Sequence, residues 1–242
     1  VSPAARSSGT LDLVFSSHRQ IPPRPTTMPT RLKIDFVSDV SCPWCAIGLY
    51  SLKKALSELG GEVAASLHFQ PFELNPDMAP EGEEIRAHLR RKYGSTDEQL
   101  ARIQETIRER GAQLGFDFAV GKRAGIYNTF DAHRLLHWAE QEDRQLALKE
   151  ALFRRYFTEG QNPSSHEVLL AAVREVGLDE ARASAILASD EFAADVRTAE
   201  ARYLNAGINS VPAVIINDRH LIQGGQPPEV FAQALRQIVG QA

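Results

Sequence analysis

The sequence predicts an α/β domain interrupted by a block of helices. Two observations carry this reading. Residues 31–75 read strand, helix, strand, and the chain returns to strand, strand, helix only after residue 207. Between them, from 76 to 206, apolar residues recur almost throughout at helical spacing. An opening β-α-β favours a parallel strand pair with a right-handed crossover.

Leu32 to Val37 is a short apolar strand. From Pro43 to Leu59 the spacing turns helical, with Gly48, Leu52, Ala55, Leu56 and Leu59 on one side, and Gly60-Gly61 supplies a left-handed stop. Val63 to Phe72 is the second strand. In the middle block the stripes Ile85-Leu89-Tyr93, Leu100-Ile103-Ile107, Leu135-Leu136-Ala139, Leu152-Phe153-Tyr156-Phe157, Leu169-Leu170-Val173, Ile186-Leu187 and Phe192-Val196-Ala199-Tyr203 each predict an apolar helix face. Gly94, Gly111, Gly160, Asn162-Pro163 and Gly177 separate them. Ala213–Ile216 and Arg219–Gln223 flank Asn217-Asp218, a two-residue hairpin turn. Pro227-Pro228 open a last helix that buries Val230, Phe231, Leu235, Ile238 and Val239.

Composition narrows the function. The 242 residues carry a net charge of -4, which argues against a nucleic-acid or membrane-surface partner. No apolar run approaches the roughly eighteen residues of a membrane helix. Residues 1–30 are rich in Ser, Pro, Thr and Arg and read as a disordered leader or extension, with natural translation starting at Met28.

Cys42 and Cys45 are the only cysteines, and both lie in 38-SDVSCPWCAIGLYSL-52. Three chemistries fit a Cys-x-x-Cys pair. A structural disulfide over so short a loop stabilises by only about 2 kcal/mol. A zinc site needs four ligands, and His133 with His137 would have to meet the thiols from across the fold. A redox dithiol gives the spacing a purpose. Cys42 sits where a helix begins, and free N–H groups there favour an anion. Cys45, one turn along, is placed to attack a mixed disulfide. Pro43 presets the first turn. A C-x-x-C beside a β-α-β pattern favours this third reading.

With these residues in view, the chain resembles the DsbA family of thioredoxin-fold proteins. The resemblance is strongest to its FrnE-like branch, near the 2-hydroxychromene-2-carboxylate isomerases and kappa-class glutathione transferases. The segments 33-KIDFVSDVSCPWCAIG-48, 69-FQPFELNPDMAPEG-82, 128-NTFDAHRLLHWA-139 and 209-NSVPAVIINDRHLIQGGQP-227 carry it. It implies a thioredoxin-like domain built from 31–75 plus 207–242, with 76–206 as a helical insertion. Cys42 then corresponds to the family's nucleophile, Cys45 to its resolving thiol, and Pro212 to its cis-proline, with Val211 before it offering backbone to an extended substrate. Ser210 departs from the Gly that many relatives carry there, and Pro43-Trp44 departs from the Pro-His of DsbA.

Trp44 is read as an exposed substrate platform beside the thiols. Asn128 or Thr129 caps a helix, and the resemblance suggests that this helix start approaches the dithiol, so that Asn128 and His133 tune Cys42. Asp35, Asp39 and Glu73 are rival candidates for the buried carboxylate that thioredoxins use to take a proton from the resolving thiol. The resulting expectation is a thiol–disulfide oxidoreductase without metal or organic cofactor. It would act on protein or peptide thiols and disulfides, glutathione included, in the cytoplasm. A glutathione-dependent isomerase or transferase, in which Cys45 is unneeded, is the first rival. A chaperone using the helical block to hold unfolded chains is the second.

Overall fold

The computed structural model describes residues 28–79, 81–119 and 121–240. The expected leader lies outside them up to residue 27, and β1 begins at Thr30, inside the segment assigned to that leader. β1 (Thr30–Ser38), α1 (Pro43–Leu59) and β2 (Val63–Pro71) form the opening unit, and β1 and β2 pair in parallel from Thr30↔Val63 to Ser38↔Pro71. β5 (Ala213–Ile216) joins β1 antiparallel and β6 (His220–Gln223) joins β5, giving the order β2-β1-β5-β6. α9 (Pro228–Val239) packs with α1 on one face of this sheet. The thioredoxin-like α/β arrangement with added helices is the one expected.

Inside the helical block run α2 (Ile85–Tyr93), α3 (Asp97–Gln113), α4 (Phe130–Gln141), α5 (Gln145–Phe153), α6 (His166–Glu175), α7 (Glu180–Leu187) and α8 (Ala193–Asn205). The block is not purely helical. A two-residue antiparallel pair, β3 (Glu83–Glu84) with β4 (Gly125–Ile126), ties its first helix to the segment before α4. After α5 the backbone widens into a π turn over Arg154–Thr158. Here Tyr156 is fully buried and its hydroxyl donates to Gly125 C=O at 2.9 Å.

The core crosses the insertion boundary. Cys45, Leu49 and Leu52 of α1 cluster with Phe116, Phe153, Tyr156 and Phe157 from the helical block. A second cluster joins α4, α5, α6 and α7. Burying a residue such as Phe153 contributes about 1.5–3 kcal/mol, so the insertion and the sheet stabilise one another. Arg134 of α4 closes the end of α7 by donating to Ile186 C=O, Ser189 C=O and Glu191 C=O, which satisfies carbonyls that a helix end leaves free.

Some expected faces differ. Tyr93 and Ile103 are 59% and 44% exposed, on turns of α2 and α3 that face away from the core. Val230 is exposed at the start of α9, where the buried face is Phe231, Ala232, Leu235 and Ile238. In the hairpin, Asn217 and Asp218 have φ of 53° and 55°, and Arg219 N–H donates to Ile216 C=O at 3.1 Å. Pairing resumes only at His220, so Arg219 belongs to the turn rather than to the strand.

Candidate functional site

The end of β1 delivers the chain to Asp39, and a tight loop turns it into α1. Asp39 directs that loop: its carboxylate accepts Ser41 N–H at 3.0 Å and Leu74 N–H at 2.7 Å. Cys42 N–H reaches Asp39 C=O at 3.3 Å. Cys42 is the N-cap residue of α1 in extended backbone conformation, with Pro43 at the first helical position. That position wastes no donor, because Pro has none. Cys45 N–H donates to Cys42 C=O at 3.1 Å, so the second thiol stands one turn behind the first. Both cysteines are free thiols. Cys42 is 4% exposed and Cys45 is fully buried.

Across from Cys42 lies the loop before β5. The Val211–Pro212 peptide is cis, and Cys42 Sγ is 3.8 Å from Val211 C=O. Pro212 C=O accepts Gly224 N–H at 2.8 Å, which joins this loop to the end of β6. Space is tight around it. A Cβ on Gly48 would come 3.0 Å from Pro212 Cγ, and one on Gly225 would come 2.8 Å from Trp44 C=O. Glycine is thus what lets α1, the cis-proline loop and the β6–α9 loop meet.

Trp44 is not the open platform expected. It is half-buried against the core, and the Arg110 guanidinium of α3 lies 5.5 Å from its ring centroid while donating to Gly225 C=O at 3.1 Å. Pro43 borders a cavity of ≈ 440 Å³ whose walls include Ile85, Ile107, Phe118, Phe157, Arg86 and Arg123.

Asn128 accepts Phe130 N–H at 2.9 Å and so serves the first turn of α4, while Thr129 makes no side-chain cap. The Asn128 amide also donates to Pro76 C=O at 3.3 Å, and its contact to Glu73 is at the hydrogen-bond limit of 3.5 Å. His133 is buried with Nε2 3.8 Å from Asp39 Oδ1, so it meets the dithiol loop through that carboxylate. Burial alone would raise the Asp39 carboxyl, but His133 and the N–H groups of Leu74 and Ser41 outweigh it and hold it below the usual range.

The three carboxylates separate in role. Asp35 is buried but occupied by Lys33 at 3.0 Å and Gln70 at 2.8 Å. Glu73 pairs with Arg197, which also holds Glu200 at 2.8 Å. Burial, followed by the neighbouring Glu200 charge, pushes Glu73 up to about 7 against the pull of Arg197. Asp39 directs the dithiol loop itself. Burial, then the hydrogen bond and charge of Cys42, push the Cys45 thiol well up, with Lys149 pulling the other way.

Lys149 is what the sequence reading missed. It sits on α5 with no exposed surface, and its Nζ has no hydrogen-bond partner among the described residues. Burial lowers its amine to about 8 although Cys45, Asp39 and Cys42 favour its charge. The only sequence signal was a lysine one helical turn after Gln145, set between Leu148 and the apolar Ala151-Leu152-Phe153 run.

A probable DsbA oxidoreductase from Streptomyces coelicolor superposes with a TM-score of 0.82 at 30% identity, over 87% of this chain and 91% of that one. A cytosolic disulfide reductase, DsbM from Pseudomonas aeruginosa, solved with GSH, is 19% identical with a TM-score of 0.56 over 86% and 98% of the two chains. A 2-hydroxychromene-2-carboxylate isomerase is 16% identical with a TM-score of 0.63 over 86% and 97%. These last two are likenesses of fold alone. No curated protein sequence matches. The model of the DSBA-like thioredoxin domain matches residues 33–236. The chain therefore belongs to the DSBA-like thioredoxin-domain family.

Proposed function

We propose that the chain is a thiol–disulfide oxidoreductase acting on protein or peptide disulfides and thiols through Cys42 and Cys45. One observation carries this reading: two free thiols stand one turn apart at the start of α1, the first facing the Val211 carbonyl at 3.8 Å and the second buried behind it. Cys42 attacks a substrate disulfide, the bond to Cys42 forms, and one substrate thiolate leaves. Cys45 then attacks Cys42, the protein disulfide forms, and the second substrate thiolate leaves. Val211 and Pro212 line the docking side, and extended substrate backbone pairs there as in strand addition. Trp44, fixed by Arg110, forms the opposite wall. His133 and Asn128 act through the loop that holds Asp39 rather than on Cys42 directly.

Glutathione belongs among the substrates in this proposal. The cavity beside Pro43 sets Arg86 and Arg123, with Glu84 and Gln104, among apolar walls, so two cations can meet carboxylates there; Glu84 is already held by the Arg86 and Ala87 N–H groups. A DsbM neighbour was solved with GSH, and that protein is named as cytosolic, which supports a cytoplasmic placement in this proposal. The same cavity favours the second reading, a glutathione-dependent isomerase or transferase. A Cys45→Ser variant separates the two. An oxidoreductase accumulates mixed disulfides through Cys42 and loses turnover. An isomerase keeps full glutathione-dependent activity without Cys45. Equal trapping by Cys42→Ser overturns the assignment of roles.

A further inference from the structure

We propose that Lys149 exchanges a proton with Cys45 when the mixed disulfide is resolved, so that the helical insertion supplies the acid–base group of the dithiol. The inference rests on the oxidoreductase reading above and deepens it.

A fully buried lysine without a partner is costly, and a Leu or Met would fill the same space without that cost. Its surroundings are specific. Lys149 Nζ lies 5.1 Å from the Phe153 ring centroid and 5.9 Å from that of Phe69. Both rings belong to the cluster that contains Cys42 and Cys45. α5 is fixed against β2 at this point, because Gln145 accepts Phe69 N–H at 2.8 Å and donates to Phe69 C=O at 3.0 Å. The amine therefore keeps its depth.

A small cavity adjoins the same place. It measures ≈ 10 Å³ and is lined by Lys149, His133, His137, Glu140, Gln70 and Pro71 among others, beside Phe69. That is room for about one water molecule. His133 Nε2 on its wall also lacks a hydrogen-bond partner among the described residues. Cys45, Asp39 and Cys42 are near enough to favour the Lys149 charge, although none is hydrogen-bonded to its Nζ, and His133, His137 and Glu140 from α4 line the cavity with it. An amine lowered to about 8 is neutral in roughly a tenth of molecules at pH 7 and can accept a proton there.

The step balances as follows. In the mixed disulfide, Cys42 is bonded to a substrate sulfur and Cys45 is a thiol. Neutral Lys149 takes the Cys45 proton. The Cys45 thiolate attacks Cys42 Sγ, the Cys42–Cys45 bond forms, and the Cys42–substrate bond breaks. Its electron pair leaves on the substrate thiolate, which takes a proton from water. Lys149 returns its proton to solvent. The substrate disulfide is reduced and the protein dithiol oxidised. In reverse, the ammonium protonates the departing Cys45 thiolate.

Stopped-flow mixing of the reduced protein with a fluorescent peptide disulfide reads capture at Cys42 and resolution by Cys45 as separate phases. It is run from pH 5.5 to 9.5 on the wild type, Lys149→Met and Lys149→Arg. We expect Lys149→Met to slow resolution tenfold or more at pH 7 and to move its pH profile upward. Capture in the same sample reports that the fold is intact. Lys149→Arg keeps the charge but cannot release a proton, and it fails to restore the rate. Resolution at the wild-type rate with the wild-type pH profile in Lys149→Met overturns the proposal, as does full rescue by Lys149→Arg. A wild-type protein that captures no peptide through Cys42 overturns the oxidoreductase reading itself.

Discussion

Replacing Lys149 by Met should make the protein more stable at neutral pH. The amine falls from its ordinary value of 10.5 to about 8 on folding, chiefly through burial. At about 1.36 kcal/mol for each tenfold change in proton affinity, the folded state bears a cost of about 3 kcal/mol. The sign follows from proton counting. Between about pH 8 and 10.5 the unfolded chain binds the extra proton, so stability rises with pH across that window. Below it both states are protonated and the cost is complete. Methionine keeps the aliphatic stem in place. It gives up the cation–π contact to Phe153, worth about 1–2 kcal/mol when buried. A net gain of about 1–2 kcal/mol remains. Urea titrations of the reduced proteins at pH 7 and pH 10 check this, and the gap between the variants should shrink at the higher pH. A Lys149→Met protein less stable than wild type at pH 7, or a gap that ignores pH, would refute the claim that the charge is buried and uncompensated.

Other outcomes follow from the same geometry. In reduced protein, iodoacetamide should modify Cys42 well before Cys45, because Cys45 is fully buried and its thiol is pushed up; peptide mapping after timed quenching reads the order. Glu73→Gln should raise the melting temperature above pH 7, with the gain vanishing towards pH 4.5. The Glu73 carboxyl is raised from 4.5 to about 7, so the wild type loses stability as pH rises through that window. A gap of constant size across melts from pH 4.5 to 8 contradicts this. Gly225→Ala should cost about 1–3 kcal/mol, since the new Cβ would lie 2.8 Å from Trp44 C=O; urea midpoints equal to wild type would show that the loop yields freely.

Much of the framework was legible because its signals are local. Helical spacing from Pro43 and the paired glycines after Leu59 set both ends of α1 as observed. Alternation and turn residues placed β5 and the following turn. The dithiol was visible for the same reason: its two residues act across one helical turn, so their spacing is itself the geometry. Asp35, Asp39 and Glu73 were equally plausible carboxylates in the sequence, since strand alternation does not say which neighbours a side chain meets.

What only the tertiary structure decided are contacts between distant segments. Periodicity marks a face of a helix but not what covers it. Tyr93 and Ile103 therefore read as core and stand in solvent, while Lys149, which no apolar stripe includes, is buried. Trp44 looked free because nothing in its own stretch announces Arg110 of α3. His133 reaches the dithiol loop through Asp39, a link that exists only once α4 is laid against the end of β1. The sequence by itself determined where the thiols are and that they form one unit. The packing of the insertion against α1 and β2 decided which charges surround them, because the electrostatic environment of a buried group is set by whichever side chains exclude water from it, wherever they lie in the chain.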